Sequence, residues 1–114
     1  MPNVVYREYV SSADDPWDWF YFDVANAHSI EAWLTNIPPG CDYDLYLRDS
    51  NGDHITSSAN LGNADEYIRS GTMAVGRYYL VVVRIEGWSA SVPYALRAGW
   101  GLHREYLPVI VKAQ

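Results

Sequence analysis

The chain has a single cysteine, Cys41, among 114 residues. An internal disulfide and a cysteine-held metal centre are therefore excluded. No histidine lies near Cys41 in sequence to activate it, so it is expected as a reduced, partly buried small side chain. No run approaches the ~20 apolar residues that a membrane-spanning helix needs. Met1 is followed by Pro2-Asn3 rather than by a basic and then apolar leader, so a secreted form is expected to be cut from a longer precursor. Positive charge is scarce: 8 Lys and Arg stand against 14 Asp and Glu, for a net charge of −6. That balance argues against nucleic acid and anionic membranes as partners. It leaves a neutral polymer, a basic partner or a cation. Local signatures of catalysis are missing as well. His28, His54 and His103 sit apart without zinc-like spacing. No Gly-x-Ser-x-Gly elbow and no phosphate-cradling glycine loop is present, and Ser89 reads as part of a loop. The chain is expected not to be an enzyme.

Helix signals, internal repeats and low-complexity segments are also nearly absent. What fills the chain is aromatic: 10 Tyr, 5 Trp and 2 Phe. Flat rings pack well on a pleated surface. The hydrophobic fraction of 49% suffices for one core in one domain of this length. Period-two alternation predicts strands near 3–10, 17–24, 28–35, 43–49, 54–58, 65–71, 76–86 and 92–99. Pro38-Pro39-Gly40, Gly62-Asn63, Gly76 and Glu86-Gly87 punctuate them. Asn51-Gly52 predicts a hairpin in which both residues tolerate positive φ. Alternation sorts faces: Phe20, Phe22 and Val24 oppose Trp19, Tyr21 and Asp23, while Tyr43, Leu45 and Leu47 oppose Asp44, Tyr46 and Arg48. The run Tyr78–Val83 is apolar on both faces, so it is either central and covered on both sides or displays Tyr79, Val81 and Val83 outward. The fold class is all-β, an antiparallel sandwich. Residues 1–99 form the sandwich, and residues 100–114 form a C-terminal tail that Pro108 limits to an edge strand or strap.

Several runs together resemble the bacterial pre-peptidase C-terminal domain family. They are Asp18-Trp19-Phe20-Tyr21-Phe22, then Leu34-Thr35-Asn36-Ile37-Pro38, then Asp42-Tyr43-Asp44-Leu45-Tyr46-Leu47. The hairpin Asp49–Asp53, the Asp65-Glu66 pair, Gly76-Arg77-Tyr78-Tyr79-Leu80 and Tyr94-Ala95-Leu96 follow in the family's order. The resemblance covers roughly residues 4–99. It implies a jelly-roll-like β-sandwich of about eight strands, appended as a non-catalytic domain to secreted hydrolases. The collagen-binding domains of clostridial collagenases look similar in fold. Some of those bind calcium near the N-terminal strand and use surface tyrosines on one sheet.

Two candidate sites follow. Trp19, Tyr21, Trp33, Tyr46 and Tyr79 fall opposite the expected core, where rings serve as stacking platforms for sugars or proline-rich chains. Alternatively, loops or the tail cover them, or they divide between two sheets. The second candidate is a structural calcium site. Asp49, Asn51 and Asp53 place oxygens at alternate positions, as a calcium loop does, but glycine is not at the sixth position and Asn60 stands at the twelfth. A plain hairpin turn explains the same residues. Asp14, Asp15 and Asp18 repel one another unless a cation or hydrogen bonds relieve them, and the resemblance puts calcium in this zone. A solvated acidic loop is the other reading. Asp42 and Asp44 share a strand face and are placed either to contribute from a neighbour or to bond a loop backbone. The expected role is a secreted accessory module that binds an extracellular polysaccharide or collagen-like protein. Its rival is a domain that packs on a parent catalytic domain and aids folding or secretion.

Overall fold

A computed structural model describes residues 6–10, 17–24, 27–100 and 111–112. These residues hold nine strands and no helix: β1 (Tyr6–Glu8), β2 (Trp17–Val24), β3 (His28–Thr35), β4 (Asp42–Arg48), β5 (His54–Ser58), β6 (Glu66–Met73), β7 (Gly76–Glu86), β8 (Tyr94–Trp100) and β9 (Val111–Lys112). They form two antiparallel sheets, a four-stranded one in the order β1-β8-β3-β6 and a five-stranded one in the order β5-β4-β7-β2-β9. The first eight strands fall where alternation places them.

The alternation is the physical cause of the sandwich. Phe20, Phe22, Leu45, Leu47, Leu80 and Val82 line the inner face of the five-stranded sheet, all at most 1% exposed. Ile30, Ala32, Leu34, Ile68, Leu96 and Ala98 line the facing sheet. Burying each large side chain contributes about 1.5–3 kcal/mol, and only pairing the two sheets buries both sets. Tyr43 and Tyr94 are fully buried, and their rings meet edge to face at 6.0 Å. Tyr94 also meets Phe20 of the opposite sheet at 6.5 Å.

Strand β7 lies between β4 and β2, which explains its two apolar faces. Tyr78, Leu80 and Val82 point into the core. On the outer side Val81 is only 2% exposed, flanked in register by Trp19 of β2 and Tyr46 of β4.

The β4–β5 connection departs from expectation. Asn51 does not adopt positive φ; among described non-glycine residues only Asn36 does, at 58°, while Gly52 has φ 84°. The reason is loop length. Arg48 pairs with His54 across a register shift, so the connection is longer than the two-residue loop in which both central residues need positive φ. Gly52 N donates to Asp49 O at 2.9 Å, and Asp49 N to Asp53 O at 2.9 Å, closing the turn with a single left-handed residue.

At the other edge, β9 pairs with β2 through Phe20↔Lys112 and Tyr21↔Val111.

Candidate functional site: an aromatic face and a carboxylate cluster

Strand pairing collects the outward residues of the five-stranded sheet into rows. One row runs Trp17, Val83, Asp44. The next runs Trp19, Val81, Tyr46, Ser57, and a third runs Tyr21, Tyr79, Arg48, with His54 beyond Arg48. Trp19 meets Tyr79 edge to face at 5.8 Å, Tyr21 meets Tyr79 at 6.4 Å, and Tyr46 meets His54 at 5.9 Å. Two guanidinium groups sit among the rings. Arg48 lies 5.9 Å from the Trp19 ring and 5.8 Å from the Tyr46 ring. Arg77 lies 4.1 Å from the Tyr21 ring and pairs with Asp23 at 2.8 Å. The hydrogen bond from Arg77 holds the Asp23 carboxyl below its ordinary range. The four rings are partly exposed. Their edges therefore reach solvent while their neighbours fix their orientation, so little side-chain freedom is left to lose on binding.

Four of the five expected aromatics thus share one face. The fifth does not. Trp33 lies on the outer side of the other sheet, in a row with Arg97 and Tyr67. Its ring is 5.5 Å from Tyr67 and 4.6 Å from the Arg97 guanidinium, and Tyr67 donates its hydroxyl hydrogen to Glu31. Trp17, 58% exposed, was missed. It shares the parity of Trp19 and Tyr21, so alternation extended to the first residue of β2 finds it.

The acidic candidates have different settings. Asp14 and Asp15 lie outside the described residues. Asp18 shares the inward parity of Phe20, is 3% exposed, and accepts a 2.7 Å hydrogen bond from Tyr94 Oη. Asp49 Oδ1 accepts the backbone N–H groups of Asn51 at 2.9 Å and Asp53 at 3.0 Å. Asp49 thereby holds its own turn together, and Asp53 is exposed. A third group was only half legible. Asp42 and Asp44 of β4 meet Glu66 of β6, with one oxygen from each within 4.8 Å of the others. Among the described His, Cys, Asp and Glu residues this is the one group spaced to hold a metal ion. Burial first, and then the nearby carboxylates of Asp42 and Glu66, push the Asp44 carboxyl up to about 6.

A folded-state value above the unfolded 3.8 means that ionising Asp44 costs stability. Its favourable contribution is complete below the unfolded value and is lost as pH rises through the folded one. In chelator, wild-type stability is expected to carry a component that falls between roughly pH 4 and 6.5, and Asp44→Asn should lack it. Urea unfolding at a series of pH values measures this. Parallel profiles for the two proteins would contradict it.

Among the described residues, no nucleophile is assembled with a base. Ser89 Oγ accepts the N–H groups of Ser91 at 3.3 Å and Val92 at 3.0 Å, a loop-shaping role. Cys41 is buried. His54 packs against the Tyr46 ring.

The pattern of the bacterial pre-peptidase C-terminal domain matches residues 17–84. Among solved structures, the chain is similar to the pre-peptidase C-terminal domain of the collagenase from Bacillus anthracis, at 21% identity and a TM-score of 0.65, covering 84% of this chain and 88% of that one. No curated protein matches the sequence. The matched segment runs from the first aromatic of β2 to Arg84 near the end of β7, so it contains the aromatic row and all three clustered carboxylates. The chain belongs to the bacterial pre-peptidase C-terminal domain family.

Proposed function

We propose that this domain is a non-catalytic accessory module of a secreted bacterial protein, and that it binds an extracellular polymer across the outer face of its five-stranded sheet. The observation that carries this reading is the gathering of Trp17, Trp19, Tyr21, Tyr46 and Tyr79 onto one sheet face from three different strands, β2, β4 and β7. An apolar, partly exposed face of this kind on a small domain serves binding or association. Rings stack on the apolar faces of sugars or on proline-rich peptide. Arg48 and Arg77 add hydrogen-bond donors beside them. The similar domain from Bacillus anthracis is part of a collagenase, which favours collagen-like protein alongside polysaccharide as the polymer.

The experiment is retention of the isolated domain on insoluble cellulose, chitin, xylan and collagen. One of these is expected to hold the wild type, and Trp19→Ala combined with Tyr79→Ala is expected to weaken it about 30-fold or more. Absence of retention on all four, together with tight association to a parent catalytic domain, would assign the face to intramolecular docking instead.

A further inference from the structure

The outer face of the four-stranded sheet gathers positive charge in a chain whose net charge is −6. Its register sets three rows of outward residues: Arg7, Ala95 and Thr35, then Arg97, Trp33 and Tyr67, then Gly99, Glu31 and Arg69. The three arginines therefore lie on a diagonal from edge strand β1 to edge strand β6. With strands about 4.8 Å apart and alternate residues about 6.7 Å apart along each, that diagonal spans about 20 Å. Glu31 is the one carboxylate in these rows. It is 9% exposed and accepts the Tyr67 hydroxyl hydrogen, so little of its charge meets solvent. Among the described residues the one ion pair is Arg77 with Asp23, and Arg7, Arg69 and Arg97 enter none. The guanidinium groups of the other face are engaged, Arg77 by Asp23 and Arg48 by Gly52 O at 2.9 Å. Trp33 stands between Arg97 and Tyr67 because β3 lies between β8 and β6. The cation–π contact at 4.6 Å orients the Arg97 fork before any ligand arrives.

We propose that this second face binds an acidic polysaccharide, one with carboxylate groups along its sugar rings, independently of any polymer on the five-stranded sheet. Charge complementarity carries the proposal. A guanidinium fork matches a carboxylate bidentately and sheds water more readily than an ammonium does. Tyr67, 44% exposed, offers its ring beside those forks to the apolar face of a sugar. Arginines spread along a diagonal suit an extended chain with repeating charge, because each contact raises the effective concentration of the next. An acidic peptide answers the arginines but makes no use of a ring platform. A nucleic acid is a denser polyanion, repelled by the chain's overall negative charge. Its bases also stack on open aromatic faces, whereas Trp33 is flanked by Arg97 on one side and Tyr67 on the other.

The test is calorimetric titration of the full chain with polygalacturonate at low salt. Dextran serves as the neutral glycan, and polyglutamate and oligothymidylate as other polyanions. The wild type is expected to bind polygalacturonate and to ignore dextran. Binding should weaken about tenfold or more when salt is raised to physiological strength, since exposed charges are then screened. Polyglutamate and oligothymidylate are expected to bind about tenfold or more weakly than polygalacturonate. Arg69→Gln and Arg97→Gln should each weaken the polygalacturonate complex about tenfold, with the melting midpoint of each variant recorded to show that it is folded. Trp19→Ala should bind polygalacturonate as the wild type does, which separates this proposal from the fate of the five-stranded face. No binding of polygalacturonate at low salt would overturn the proposal. Equal or tighter binding of polyglutamate or oligothymidylate would reassign the face to an acidic protein or a nucleic acid and overturn it too. So would loss of binding in Trp19→Ala with Arg97→Gln unaffected.

Discussion

Phe20→Ala is expected to destabilise the domain by about 3–5 kcal/mol in urea unfolding. Phe20 is fully buried, pairs with Leu80 on the central strand, and presents its ring to Tyr94 of the opposite sheet at 6.5 Å. Truncation removes apolar burial and leaves a cavity that strands on either side cannot close, because β2 is held in register with β7 over its whole length. A domain of this size has roughly 5–15 kcal/mol of stability in total, so the loss is a large fraction of it. The neighbouring substitution, Trp19→Ala, moves one residue and changes faces. Trp19 is partly exposed and lies against Tyr79 and Arg48, so its truncation is expected to cost about 1 kcal/mol. Equal losses for the two would place Trp19 in the core and remove the binding face.

Gly87→Ala is expected to cost about 3 kcal/mol and to lower the midpoint by roughly 10 °C. Gly87 follows β7 with φ 73°, a conformation that costs other residues about 1–2 kcal/mol. An added Cβ would also lie 2.5 Å from Gly40 O and 2.9 Å from Cys41 Cα. Both contacts are backbone and cannot swing aside. Relief requires moving the Gly40–Cys41 segment, which leads directly into Asp42 and the carboxylate cluster. Gly52→Ala is the control. Its φ is 84° but nothing lies within 4 Å of the added atom, so only the conformational cost is expected. Comparable losses at the two positions would show that the close approach at Gly87 relaxes without penalty.

The strands were legible because alternation is local. Phe20-Tyr21-Phe22 and Tyr43-Asp44-Leu45 declare their faces within a few residues, and burial follows those faces in the folded chain. Turn geometry was less legible. The dipeptide Asn51-Gly52 marks a turn, but the loop length that sets its type depends on how Arg48 pairs with His54. Strand order is not local at all. Nothing in residues 28–35 says that Trp33 belongs to the sheet opposite Trp19, since the order β1-β8-β3-β6 comes from pairings between distant segments. The carboxylate cluster has the same origin. Asp42 and Asp44 stand out together on one strand, but Glu66 joins them only because β6, the edge strand of its sheet, ends up beside β4, the strand next to the edge strand β5 of the other sheet. The isolated Asp49–Asp53 hairpin drew attention by its spacing, and the folded turn uses its Asp49 oxygen internally.

The most direct measurement is a comparison of Trp19→Ala and Trp33→Ala on the polymer that retains the wild type, with the melting midpoint of each variant recorded. The two tryptophans sit on opposite outer faces of the sandwich, each beside an arginine. If the five-stranded sheet carries the binding surface, Trp19→Ala loses retention by about 30-fold or more, Trp33→Ala binds as wild type, and both remain folded. Loss through Trp33→Ala with Trp19→Ala unaffected would contradict that assignment. So would full retention by both variants.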